Sequence, residues 1–264
     1  MTDPSPQSRA IELEVEVPGT PEEVWQAVAT GPGITSWFIP MQVEERTGGE
    51  VTMDWGSVGS ETADVVVWEP PHRVVFRGRG EQALAYEWLV EAKDAGSCIV
   101  RLVNSGFGDG DDWDEQLHGM SEGWRIFMEN LRLQRTSFPG REARAVIATV
   151  TVAGPGDRAW GELCAALGIP ADASKGDVVS TRHPAPSMSG RIETVMASPA
   201  ARAYLLLLDE PHPGTAFVAV EGDGDQVAGS AYLYLYDRDG VPVDDAIGSR
   251  WMSWLSERFP PVTG

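Results

Sequence analysis

"NSGFGDGDDWDEQLHGMSEGWRIFMENL", Asn104 to Leu131, is the stretch on which the fold turns. It opens as a loop of glycine and aspartate and continues as a helix. Trp113, Leu117, Met120, Trp124, Phe127 and Leu131 recur at spacings of four, three, four, three and four, one apolar stripe over about five helical turns. Asp112, with Glu115 three residues on, reads as a capping box that starts this helix. The dense aspartates invite a calcium reading, but the spacing fails. From Asp109, position 5 of an EF-hand loop falls on Trp113 and position 6, which needs glycine, on Asp114. The loop is read as a helix cap and the helix as one wall of an apolar pocket.

Upstream of the helix lie strand-like runs with short links. "MQVEER", "EVTMDW", "TADVVVWEP", "RVVFRG", "AYEWLVEA" and "CIVRLVNS" are separated by Gly, Pro and Asp turns, which favours an antiparallel meander. Before them, Ile11, Leu13, Val15 and Val17 alternate with glutamates, the period of a strand with one buried face. Between this strand and the meander, "GTPEEVWQAVATG" reads as a short helix. Thr20 caps it, Pro21 takes its first position, Glu23 completes a capping box, and Gly31 and Pro32 stop it. The order is strand, short helix, sheet, long helix, an α+β unit.

The second half repeats that order in shortened form. Gly154 and Trp160 echo Gly19 and Trp25, both 135 residues on, and Pro199 and Arg202 echo Pro70 and Arg73, 129 on. Gly248 and Arg250 in "IGSRWMSWLSERFP" stand for Gly123 and Arg125. Three anchors in one order predict a tandem duplication. The expected division is a disordered tail over 1–9, a first unit over 10–140 and a shorter, divergent second unit over 144–264.

The marks of the first half form an ordered set: Val24-Trp25, Trp37 a dozen residues later, the Glu69-Pro70-Pro71 bend, the Ser105-Gly106-Phe107 turn, and Gly123-Trp124. Over residues 10 to 138 this set resembles bacterial proteins similar to the C-terminal domain of the Hsp90 ATPase activator (AHSA1-type), within the START-like, or SRPBCC, superfamily. The resemblance implies a helix-grip fold, in which an antiparallel sheet wraps around a long C-terminal helix and leaves a cavity between them. The second half lacks counterparts of "ITSWF" and "NSGFG".

Composition narrows the function. The chain has 264 residues, 42% of them hydrophobic, and a net charge of −20 with no basic stripe, which excludes nucleic acid as a natural partner. No apolar run is long enough to insert in a membrane, and "MTDPSPQSRA" lacks the order of a signal peptide, so a cytoplasmic location is expected. Cys98 and Cys164 are too few for a disulfide framework or a zinc site. No metal and no cofactor is expected.

His72, His183 and His212 lie in proline-rich turns, whereas His118 sits beside the helical stripe. No nucleophile elbow or phosphate loop is present, so no catalytic residue is assigned. The aromatics exceed what a core of this size needs, and two readings stay open for them, a packed core and a cavity that serves as a ligand site. The candidate lining is Trp37, Phe76, Trp88, Phe107, Trp113, Met120, Trp124 and Phe127, with Arg101, Asn104 and His118 as its polar groups. The leading reading is a carrier, sensor or scavenger of a small hydrophobic molecule. The alternatives implied by the resemblance are a polyketide cyclase or aromatase-like enzyme, and a co-factor of an Hsp90-type chaperone.

Overall fold

The computed structural model describes residues 9–80, 83–94, 96–108, 111–222 and 224–260. It contains two antiparallel sheets. The first is built from β1 (Arg9–Pro18), β2 (Met41–Val43), β3 (Glu50–Asp54), β4 (Ser60–Glu69), β5 (Arg73–Gly78), β6 (Ala85–Ala92) and β7 (Ser97–Phe107), in the order β1-β7-β6-β5-β4-β3-β2. The last strand therefore returns beside the first, with Val15 opposite Val100 and Ile11 opposite Asn104. Strand β1 takes in Arg9, the last residue of the expected tail; the rest of that tail lies outside the described residues.

Two short helices follow β1: α1 (Pro21–Ala29) and α2 (Gly31–Thr35). The capping box of α1 is present in both directions, Glu23 N–H donating to Thr20 Oγ1 at 3.3 Å and Thr20 N–H to Glu23 Oε2 at 3.0 Å. Gly31 and Pro32 end α1 as expected, but they also begin α2. Thr30 caps this second helix by accepting from Gly33 N–H at 3.2 Å, and Pro32 suits its first turn. The long helix α3 (Asp111–Ser137) packs against β1 of this sheet. The capping box expected of Asp112 and Glu115 lies outside the described side chains, and Asp109 and Gly110 of the aspartate loop lie outside the described residues.

The second sheet is formed by β8 (Arg144–Ala153), β9 (Val178–Ser180), β10 (Ser189–Ala197), β11 (Ala201–Glu210), β12 (Gly214–Glu221) and β13 (Gln226–Leu235), in the order β8-β13-β12-β11-β10-β9. Helix α4 (Gly156–Leu167) follows its first strand and α5 (Ile247–Arg258) its last. This is the plan of the first sheet with one strand fewer and no counterpart of α2. Both Trp25 and Trp160 are buried, each edge-on to an aromatic ring of its own sheet: Trp68 at 5.0 Å and Tyr204 at 4.7 Å. The molecule is thus α+β with two antiparallel sheets, consistent with a duplicated helix-grip fold.

The two units are packed through α3. One face of it meets the first sheet. Another carries Ile126 and Leu133 into a cluster with Ala203, Leu205, Phe217, Ala219 and Tyr234 of the second sheet. Helices α4 and α5 cover that sheet's other face, with Leu206, Val218 and Trp251 in the core between. Two hydrogen bonds tie the halves further: Tyr234 O–H to Phe38 O at 2.6 Å, and Ser57 Oγ to Thr149 O at 3.3 Å. No described helix is long and apolar enough to cross a membrane.

Candidate functional site

Among the described residues, many aromatics between the first sheet and α3 pack on one another. Trp37 is fully buried, its Nε1–H donating to Ala27 O at 2.8 Å, and its ring meets Trp88 edge-on at 5.4 Å. Trp88 meets Trp124 in the same way at 5.6 Å, and Phe76 is buried in the same cluster. Asn104 ties this core together. Its amide donates to Ala85 O at 3.0 Å, and its Oδ1 accepts from Trp124 Nε1–H at 3.3 Å, so a buried polar group has both ends satisfied. Phe107 and Trp113 pack on each other at 6.1 Å at the start of the helix; a Cβ on Gly108 would fall 2.5 Å from that indole. Only a residue without one lets the ring approach there.

A void opens where this core meets the second unit. The cavity, about 390 Å³, is walled by Phe38 and Trp55 on one side, by Gly119, Met120, Gly123, Trp124 and Phe127 of α3, and by Glu221, Gly222 and Tyr232 across from them. Phe38 is the hinge of the walls. It stacks on Trp124 at 4.7 Å and meets Trp55 and Phe127 edge-on at 5.7 and 4.6 Å. Phe127 in turn meets Phe217 and Tyr232 of the second sheet. Aromatic pairs of this kind gain about 0.5–1.5 kcal/mol beyond their buried area.

Of the residues expected to line a site, Met120, Trp124 and Phe127 border this cavity. Trp37, Phe76, Trp88, Asn104, Phe107 and Trp113 belong to the packing beside it. Arg101 departs from the expectation. Residues of β7 alternate, Val100, Leu102 and Asn104 facing inward, so Arg101 faces out. There it stands opposite Glu14, 3.5 Å from its carboxylate, and 3.9 Å from that of Glu91. His118 is also misplaced in that reading, because one step past Leu117 turns it about 100° off the stripe, onto the exposed side.

Sequence reasoning missed Glu221 and Tyr232, which come from the other unit. Glu221 ends β12 and remains partly accessible through the cavity itself. Burial pushes its carboxyl above the usual range. Tyr232 is pushed up to about 12 by burial and by the neighbouring Glu221, with Thr149 acting the other way. A larger cavity, about 670 Å³, lies on α5 between Trp251, Trp254 and the prolines 184, 186 and 211, but its rim carries Arg250, Glu257 and Arg258. The smaller one has the apolar walls and the single inward polar edge of a ligand site. Among the described residues no group of His, Cys, Asp and Glu is placed to hold a metal ion.

These features define a helix-grip protein with an apolar cavity at the seam of its two units. Residues 18–133 match the family model described as activator of Hsp90 ATPase homolog 1-like protein. The match lies within the first unit and takes in β1's end, both short helices, the rest of the first sheet and most of α3. No curated protein matches the chain. Among solved structures, it is similar to DynU16, a putative protein in the dynemicin biosynthetic locus (15% identity, 95% of each chain, TM-score 0.44). It is also similar to the di-domain ARO/CYC BexL from the BE-7585A biosynthetic pathway (14% identity, 97% of this chain and 100% of that one, TM-score 0.44). Protein BH1534 of Bacillus halodurans aligns over 48% of this chain and 96% of its own (22% identity, TM-score 0.43).

Proposed function

We propose that the chain binds a small hydrophobic molecule in the seam cavity, as a carrier, sensor or scavenger. The observation that carries this reading is the pair of glycines at positions 119 and 123 of α3, one helical turn apart, facing the void. Glycine inside a helix costs about 0.5–1 kcal/mol relative to alanine, and at both positions the missing side chain is part of the cavity. In the same reading, residues 10–140 and 144–264 are the two copies of the duplicated unit, and the ligand lies between them. Met120→Trp is the test. It should fill the void, abolish the quenching of tryptophan fluorescence by an apolar probe such as 1-naphthol, and leave the melting temperature within a few degrees. Unchanged probe binding in that variant would sink the proposal.

The family match supports a second reading, a partner role toward an Hsp90-type chaperone. A pull-down with purified bacterial Hsp90 separates it from the first, since Met120→Trp would not disturb such an association. A cyclase-like role needs a proton-moving side chain at the cavity. His118 lies outside it, and Glu221 is the group that borders it.

A further inference from the structure

We infer that the cavity takes a lipophilic amine, its apolar body lying between Trp55, Trp124 and Phe127 and its protonated nitrogen meeting the Glu221 carboxylate. The inference rests on the binding role just proposed and adds the chemical class of the ligand. Glu221 Oε1 lies 3.2 Å from where a Cβ on Gly123 would stand, so the carboxylate is held against the helix at the edge of the void. Among the described residues no cation pairs with it. The groups that face it from the packed elements are Tyr232 of β13, which is titratable, and Met120, Gly123 and Trp124 of α3, which carry no charge.

An acidic side chain partly withdrawn from water and left without a cation is destabilising in its charged form, so it either holds a proton or meets a cation from elsewhere. The walls suit the same charge. The faces of tryptophan, tyrosine and phenylalanine are electron-rich and attract a cation held over them, and Phe38, Trp55, Trp124, Phe127 and Tyr232 all border the space that Glu221 enters. An anionic ligand would meet the carboxylate and the field of a chain with net charge −20, whereas a cation is drawn by both. A neutral ligand would leave the carboxylate unpaired.

The experiment uses three naphthalenes of one size and different charge: 2-(aminomethyl)naphthalene, 2-naphthalenemethanol and 2-naphthoate. Each is titrated by calorimetry at pH 7 into the full-length protein and into Glu221→Gln and Glu221→Asp. The amine should bind wild type about tenfold or more tighter than the alcohol, and the naphthoate should bind weakest. Glu221→Gln should erase the preference for the amine with little change for the alcohol, and Glu221→Asp should keep part of it. If the alcohol binds wild type as well as the amine, or if Glu221→Gln keeps the preference, the amine inference is overturned while the hydrophobic site stands. If no naphthalene binds wild type, the site itself is overturned and this inference with it. Should Glu221→Gln fail to fold, the ranking of the three probes on wild type decides the matter alone.

Discussion

Glu221 is a residue whose cost to the fold depends on pH. Its carboxyl is raised in the folded chain by burial, so the native state holds a proton that the unfolded state, with an ordinary value of about 4.3, has already released. Between those two values the native state binds more protons, and stability therefore falls as pH rises through the window. Below the unfolded value both states are protonated and the penalty is absent; above the folded value it is fully present. Glu221→Gln should accordingly raise the melting temperature at neutral pH, with the gain shrinking toward zero as pH drops below about 4. A series of thermal melts from pH 3.5 to 8 checks this, and a gain independent of pH would show that the residue does not titrate as described. The same scale explains why Arg101 departs from the expected lining while Asn104 faces inward. Arg101 and Asn104 are three apart on a strand and must face opposite sides, a parity the sequence displays. Trp124, in contrast, both borders the void and packs in the core at 4% exposure, a double role that no spacing reveals.

At the scale of the element, α3 is a helix with two jobs. Its stripe from Trp113 to Leu131 was legible, and it faces the first sheet as the period implies. Ile126 and Leu133 lie off that stripe and are buried all the same, because a second sheet covers them. A helix apolar on more than one side is one packed on more than one side, and that much could have been read. The strands carried the matching sign. "AYLLLLDE" in β11 and "GTAFVAVE" in β12 are continuous apolar runs, the pattern of strands buried on both faces rather than one. Gly123 tests the functional side of the helix. Gly123→Ala should gain up to about 1 kcal/mol of helix stability, since the Cβ meets only the movable end of the Glu221 side chain. Binding of the apolar probe should weaken in the same variant. Chemical denaturation and probe titration on that one protein measure both, and a parallel rise in stability and affinity would mean that the glycine serves packing and not the site.

At the scale of the molecule, neither half is complete. A chain ending at residue 140 would leave Ile126 and Leu133 of α3 uncovered, and would free Phe38 O from Tyr234 and Ser57 from Thr149. Exposed apolar faces of this kind drive association or loss of structure. A fragment of residues 1–140 should therefore run as a dimer or larger species in light scattering, or melt well below the full chain. A monomeric fragment with the full chain's melting temperature would refute the shared role of α3. The cavity should be lost in the same fragment, because one of its sides belongs to the second unit.

What the sequence by itself determined follows from local periodicity. Alternation marked the strands, the three-four spacing marked α3, the Thr20 box marked α1, and the ordered recurrence of Trp25 and Trp160, Arg73 and Arg202 marked two units on one plan. These signals are short in range, and each needs only the residues that form the element. The cavity is different in kind. Phe38, Trp124, Glu221 and Tyr232 are scattered over nearly two hundred residues, and they become neighbours only because the second sheet lays its outer face on α3. Which aromatics fill a core and which stop short of filling it depends on how closely two curved surfaces meet. That distance is set by the packing of whole elements, and only the tertiary structure decides it.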